Sequence, residues 1–582
     1  MNTIFYITVV FLVLLTLILL FFIVKLALNT IKKSFIFNHV VVIGLSRTAN
    51  QVALNLAKAG RKVVLVSKEP VGIDTLTIRE NGGVVLSETS YNLSLFKKAR
   101  LNKAKIVFIA TSEDDTNIIL AQMISRIKKR NYGGGILKLM VKINDDDLKN
   151  LVSDYQESSN KNLVETSPFN INSITAQYIY DKFPPHNYID GETIRDKEKI
   201  ICIVGNNDIA TSFLLENSIL SQYGDENKLK VFVICENAEV YLKSVFKKFP
   251  NISNFLNIVP IELENDNFST NHKWNSLFIN SIDSIDIAYF FGNKDAKLFS
   301  SALHFRQFLY EKTQNIRKVP IVVCLPEETE VLSLLDGDNL ERQSLSERYK
   351  NEIVIHLVRK YTDVCSVNRL IDASNETEIL AKAINYYYSI KFEFNELLNK
   401  HFKKSNNQEF LERIQKEVLE FKVKHGEPLQ QIEQLVINFT KEYTKNSAEK
   451  ITSIFSVNAQ WNNLTDRKKE SNRYVARHLD VKIYILKKLG LKTFTNDDIK
   501  NHFKYLAPIE HNRWSAEKLA FDFTYGNLPS TDKNLKKILK DTLKIHDQLI
   551  PFEKLDSSNK DKDLDMFYLL PLLQKIKENN KD

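Results

Sequence analysis

Apolar positions along the chain fall into three successive patterns. From Ile4 to Val24 the run IFYITVVFLVLLTLILLFFIV holds no charged residue, no Gly and no Pro. At about 1.5 Å per residue, its roughly 21 residues match a bilayer core of about 30 Å, which predicts a transmembrane helix. Neither a basic start nor a small-residue cleavage site marks it as a removable leader. Lys25, Lys32 and Lys33 follow the run and no Lys or Arg precedes it. The expectation is a single-pass protein of the inner or plasma membrane, N-terminus outside and body cytoplasmic, anchored through residues 4–24 of a segment spanning 1–33.

The second pattern alternates short apolar runs with helical periodicity. His39–Gly44 ends on a glycine, and apolar positions at Ala49, Val52, Ala53, Leu56 and Ala57 follow with the spacing of a helix face. Lys62–Val66, Gly82–Leu86 and Ala104–Ala110 are further buried-strand runs, so residues 38–150 predict a βαβ series on a parallel sheet. Lys199–Gly205 repeats the strand-to-glycine step, with further runs at Lys230–Cys235, Ile285–Phe291, Val319–Cys324 and Ile353–Leu357. Residues 198–392 therefore predict a second α/β domain and an internal duplication. In the third pattern, residues 393–450 are rich in Lys, Glu, Leu and Phe with one turn at Gly426-Glu427-Pro428, a helical connector, and residues 451–582 are mainly helical.

Composition narrows the function classes. The 582 residues carry 80 basic against 71 acidic side chains, a net charge of +9, and the length calls for three or four domains. Hydrophobic residues at 43% and charged residues at 26% exclude wholesale disorder and a polytopic membrane protein. Four scattered cysteines without a C-x-x-C pair build neither a disulfide scaffold nor a zinc site, in keeping with a reducing compartment. Part of the basic excess lies beside the first apolar run, so nucleic acid is not an expected partner. No metal site is expected. No G-x-S-x-G, H-E-x-x-H, P-loop or kinase motif is present, which weakens the case for an enzyme and leaves no catalytic residue to name.

Candidate chemistry sits first at the two strand-to-helix turns. In the dinucleotide fingerprint G-x-G-x-x-G, glycines let a pyrophosphate meet the N–H groups of a helix N-terminus, and an acid after the second strand takes ribose hydroxyls. Here the first turn reads Gly44-Leu45-Ser46-Arg47-Thr48-Ala49, with serine at the middle glycine. Ser67 and Lys68 stand at the ribose-reading place, so the acid is missing unless Glu69 supplies it. One reading is a nucleotide site of altered preference, with Arg47 and Lys68 near a phosphate; the other is a scaffold without its ligand. The second turn, Gly205-Asn206-Asn207-Asp208-Ile209-Ala210, keeps the same ends, and Glu236 follows the second strand where a ribose acid sits. Gly205, Asn206 and Glu236 are candidate contacts, against the alternative that these polar residues cap the next helix.

Three pieces of the first domain, Val42-Ile43-Gly44, Lys68-Glu69-Pro70 and Ala110-Thr111-Ser112-Glu113-Asp114-Asp115-Thr116-Asn117, resemble the RCK (TrkA-N) nucleotide-binding domain, a Rossmann variant that controls potassium channels and transporters. The resemblance implies a Rossmann-like parallel sheet for this domain, NAD or another adenine nucleotide as cofactor, and a channel or transporter partner; the repeated turn at Gly205 makes the second domain Rossmann-like as well.

A second constellation lies near the C-terminus: Trp461-Asn462-Asn463-Leu464, Lys469-Glu470-Ser471-Asn472-Arg473, Leu489-Gly490-Leu491, Glu510-His511-Asn512-Arg513-Trp514, Ala516-Glu517 and Tyr525-Gly526. It is similar to the RyR domain, the repeat named after ryanodine receptors and found also in prokaryotic proteins. That resemblance implies an antiparallel helix pair and a prokaryotic RyR-domain membrane protein. Glu510, Arg513, Trp514 and Glu517 fall at i, i+3, i+4 and i+7, one helix face, with Asn472 and Arg473 on the expected partner helix and Tyr525 beside it. A guanidinium fork grips phosphate, an indole stacks on a base and a carboxylate takes hydroxyl protons, chemistry that suits a nucleotide-type small ligand. The alternative is a structural cluster that bridges the helices. His511 has no companion at metal-ligand spacing.

The leading expectation is a membrane-anchored cytosolic sensor of a nucleotide-type ligand or a signal-gated effector, homo-oligomeric, with prokaryotic defence implied by the RyR resemblance and domain order. The alternatives are a regulatory subunit of potassium transport working with a separate pore, and an NAD(P)-using enzyme.

Overall fold

The computed structural model describes residues 37–68, 73–130, 135–157, 163–189, 198–224, 228–264, 268, 274, 276–316, 319–328, 345–370, 375–402, 407–491, 496–529 and 532–579. The Ile4–Val24 run and Glu69 lie outside them. No helix among the described residues is long and apolar enough to cross a membrane. The chain divides into two units: residues through Ile171 with Cys365–Val367, and Asn172–Val364 with Asn368–Asp582.

In the first unit, β1 (His39–Ile43), β2 (Val63–Ser67), β3 (Val84–Ser87), β4 (Ala104–Ile109), β5 (Leu137–Lys142) and β6 (Val164–Phe169) form one sheet in the order β3-β2-β1-β4-β5-β6. Every pairing is parallel. Strands β1 and β2 are buried along their whole length, as a sheet covered by helices on both faces requires. The helices used below are α1 (Arg47–Lys58), α2 (Asp114–Arg130) and α3 (Asp146–Glu157). In α1 the buried positions Ala49, Val52, Ala53, Leu56 and Ala57 are the apolar stripe visible in the sequence.

The second unit repeats this sheet with β7 (Ile200–Val204), β8 (Leu229–Cys235), β9 (Leu256–Glu262), β10 (Ile287–Phe291), β11 (Ile321–Leu325) and β12 (Ile355–Arg359), ordered β12-β11-β10-β7-β8-β9 and again all parallel. Counted from its own first strand this is the same order, the doubly wound arrangement whose topological switch lies between the first and fourth strands. The chain thus carries two Rossmann-like domains and a helical C-terminal region. Its helices include α4 (Asp208–Leu220), α5 (Ala238–Lys248), α6 (Asp295–Thr313), α7 (Glu376–Tyr388), α8 (Asp466–Arg477), α9 (Leu479–Lys488), α10 (Phe503–Ala520), α11 (Lys533–Asp541) and α12 (Ser557–Tyr568), with the short strands β13 (Thr524–Tyr525) and β14 (Ile545–His546) flanking α11. The region is docked on the second sheet domain: Tyr474 of α8 and Ala516 of α10 belong to the same apolar core as Phe213 and Leu214 of α4. Gly224 makes room for this approach, since a Cβ there would lie 2.4 Å from the Ile509 side chain.

Candidate functional site

Open parallel sheets bind ligands where helices diverge at the carboxyl ends of the strands, which in the first domain is the crevice after β1 and β4. Gly44 has φ +116°, and a Cβ there would lie 2.5 Å from the carbonyl oxygen of Ala110 at the end of β4. Only glycine lets the backbones meet. Two residues on, the Ser46 hydroxyl accepts from Ala49 N–H (3.3 Å), capping α1, and donates to Ala110 O. The serine therefore stands where the fingerprint has its middle glycine and is engaged on both sides. Across the same crest, Asn117 Oδ1 accepts from Thr111 N–H (2.8 Å) while its amide donates to Lys142 O (2.9 Å). Asp114 accepts from the N–H groups of Asn144 (2.8 Å) and Asp145 (3.0 Å). The motif Ala110–Asn117 thus ties the ends of β4 and β5 together. Arg47 and Lys68 are exposed at the rim. An acidic groove lies beside this crest, yet no group of three His, Cys, Asp or Glu among the described residues could hold a metal ion.

The second domain repeats the device, with its side-chain bridge shifted by one residue along the crest. Gly205 has φ +115°, and a Cβ there would fall 1.9 Å from Phe291 O at the end of β10. Asn207, again two residues on, accepts from Ala210 N–H (3.0 Å) and donates to Gly292 O (2.9 Å). Asp295 accepts from Glu327 N–H (2.9 Å), tying β10 to β11 as Asp114 ties β4 to β5. Asn206 and Glu236 are exposed, the latter directly after β8. Glu262 at the end of β9 receives the N–H groups of Asn237 (2.5 Å) and Ala238 (3.0 Å) at the start of α5.

The middle-glycine position carries a side chain that caps a helix and bridges the switch point in both domains. A side chain at that position crowds a pyrophosphate that approaches over it. The rim, with Glu236 and Asn206 in one domain and Arg47 and Lys68 in the other, keeps polar groups that suit a ribose or a phosphate.

The C-terminal constellation is arranged differently. Glu510, Arg513 and Glu517 are brought together in the interior, at 3%, 1% and 0% exposure. Arg513 reaches Glu510 at 2.9 Å and Glu517 at 2.7 Å. Lys482 of α9 stands 2.8 Å from Glu510, Lys518 2.9 Å from Glu517, and the Ser471 hydroxyl donates to Glu517 at 2.6 Å. Burial opposes the ionised carboxylate of Glu517, but Lys518 and Arg513 beside it prevail and hold it down at about 2. His478, fully buried next to Glu510, is pushed well below its usual range by burial and then by Lys482 and Arg513.

The other predicted ligand residues lie apart from this cluster. Arg473 pairs with Glu378 of α7 (2.7 Å) and Glu470 (3.1 Å), Asn472 bonds back to Lys468 O, and Tyr525 is 57% exposed. Trp514 packs its ring 4.8 Å from His546 and 5.7 Å from His511. His511 sits between Asp563 (3.2 Å) and Ser515 (3.4 Å), superficially a hydrolase triad. Its Nε2 faces Ile550 O at 2.8 Å, so that nitrogen donates and is not a base toward Ser515. Ser471 and Lys482, which are not among the ligand contacts the sequence suggests, recur with Val475 and His478 at the 3.6-residue spacing of one face, the signal that finds them.

The α4 helix connects the two regions. Its first turn begins after Gly205 at the crevice, and near its far end Glu216 accepts from Tyr474 (3.0 Å) and pairs with Arg477 (2.9 Å), both on α8. Arg477 also grips Asp181 at 2.9 Å.

Residues 40–157 match the TrkA-N domain. The first unit therefore holds a TrkA-N (RCK) domain. Similar solved structures include a GsuK mutant (TM-score 0.33, 13% identity, 59% of this chain and 71% of that one). GsuK bound to ADP (0.33, 13%, 58% and 70%) and the GsuK RCK domain (0.32, 10%, 59% and 78%) are also similar. Likeness at that level carries no argument about ligand or partner. No curated protein matches the chain.

Proposed function

We propose that the chain is a sensor of a nucleotide-type ligand, carried on a membrane tether at residues 4–24, in which occupancy of a sheet crevice is relayed to the helical C-terminal region. The observation that carries this reading is α4: one helix starts at the crevice of the second domain and is clamped by Glu216 to Tyr474 and Arg477 of α8. A ligand that displaces the N-terminus of α4 acts on a rigid rod whose other end is fixed to the C-terminal helices. Coupling follows only if the ligand binds one position of that rod more tightly than another.

The ligand face is the crevice rim, with Glu236 taking ribose hydroxyls and Asn206 a phosphate, while Ser46 and Asn207 disfavour an extended dinucleotide. This also counts against an NAD(P)-using enzyme. The RyR-like helices serve as the receiving element, and their resemblance supports a signal-gated effector in prokaryotic defence.

A second reading, a regulatory subunit of potassium transport acting on a separate pore, is favoured by the TrkA-N match. Ile119 on α2 and Leu151 on α3, each 64% exposed on helices that follow neighbouring strands, suit a homo-oligomer in either case. Isothermal titration of the full chain with ADP, ATP, ADP-ribose and NAD tests the sensor. Expected are binding of a mononucleotide in preference to NAD and at least about tenfold weaker binding in Glu236→Ala, the loss of one charge-assisted contact. Heat from none of the four contradicts the reading.

A further inference from the structure

Among the described residues, four exposed large apolar side chains fall in one short stretch: Tyr525 at 57%, Leu535 at 44%, Ile538 at 52% and Leu543 at 58%. The stretch is built around α11, whose sequence KNLKKILKD sets Leu535, Ile538 and Leu539 on one side and Lys536, Lys537 and Lys540 on the other. A surface helix ordinarily turns its apolar stripe to the core. Here the stripe faces outward, while Lys540 is half-buried with its Nζ 4.0 Å from Asp547. The short helix is held in this orientation by Asp532, which accepts from Leu535 N–H at 2.9 Å, and by the strands β13 and β14 at its base. Over residues 533–544 the chain carries lysines at 533, 536, 537, 540 and 544 against one acid, Asp541.

We propose that residues 532–544 dock on an anionic phospholipid surface: Leu535, Ile538 and Leu543 enter the boundary between headgroups and acyl chains, and the lysines of the opposite face take lipid phosphates. Two features favour a bilayer over a folded partner. The apolar residues project from a convex helix and its adjoining turn, which a fluid surface accepts at any contour, and cations flank them as interfacial helices require. The reach of the docking site to a membrane rests on the tether reading of residues 4–24; its chemistry does not.

The four native cysteines are buried, so the full chain with Ile538→Cys takes an environment-sensitive fluorophore at that position. The label is read against vesicles of phosphatidylcholine alone and vesicles that also contain phosphatidylglycerol. The proposal predicts a blue shift only with the anionic vesicles, reversed by salt and at least about tenfold smaller in Lys536→Glu with Lys537→Glu. A label at Val240, 65% exposed on α5, is expected to stay unchanged. A silent label on chain that floats with both vesicles overturns docking and leaves the tether standing. An equal shift on neutral and anionic vesicles overturns the lysine role, and no flotation with either overturns docking and the tether together.

Discussion

Arg513→Met lowers the stability of the second unit by about 3–5 kcal/mol, since removing one member of a buried ion network leaves two buried carboxylates short of a hydrogen-bonding cation. Glu510 and Glu517 flank Arg513 at 2.9 Å and 2.7 Å with almost no exposure. Lys482 and Lys518 remain beside them after the substitution, so the cluster keeps its own acids ionised but loses the group that joins the two carboxylates across successive helix turns. Urea denaturation followed by tryptophan fluorescence measures the loss, because Trp461 and Trp514 both lie in this region. Replacing Lys482, Glu510, Arg513 and Glu517 together by apolar residues of similar volume is expected to recover most of it, as desolvated ion networks commonly do no better than packed side chains. If the single substitution costs less than about 1 kcal/mol, water reaches the cluster and Arg513 is available to a ligand after all.

Gly205→Ala costs more than about 3 kcal/mol, the sum of a strained backbone and a collision. Its φ of +115° is outside the range that residues with a Cβ adopt readily, and that Cβ would stand 1.9 Å from Phe291 O. Neither strand can withdraw, because β7 and β10 are paired along Ile201–Val204. Gly60→Ala is the matched control: φ is +68° and nothing lies within 4 Å of the added carbon. There only the left-handed backbone penalty of about 1–2 kcal/mol remains. Thermal or urea unfolding of the two variants separates close approach from conformational strain.

Much of the two-sheet architecture was legible in the sequence because parallel strands buried on both faces read as unbroken apolar runs. The strands that escaped explain themselves. β6 and β9 are the outer strands of their sheets and contain Pro168 and Pro260, which an edge tolerates and a run of apolar residues does not suggest. β5 carries Lys138 and Lys142, the second of which lies among the crest contacts of the first domain. At the turns, the substitution of the middle glycine was visible, but not that Ser46 and Asn207 cap their helices and bridge the crevice in the same way. That requires knowing which carbonyl lies opposite. In the helical region, spacing placed Glu510, Arg513 and Glu517 on one face, but periodicity tells which residues share a face and not what stands across from it. Ser471 and Lys482 complete that cluster, while Arg473 turns to Glu378 instead.

Coupling between the crevice and the C-terminal helices through α4 is open to hydrogen exchange on the full chain. A saturating mononucleotide is expected to change protection in Asp208–Leu220 and also in Asp466–Arg477 and Phe503–Ala520. In Arg477→Met, which removes the ion pair with Glu216 and leaves the Tyr474 bond, the change is expected to remain in the first segment and weaken in the other two. Protection confined to the crevice in the unaltered chain, or an undiminished distant change in Arg477→Met, would contradict it.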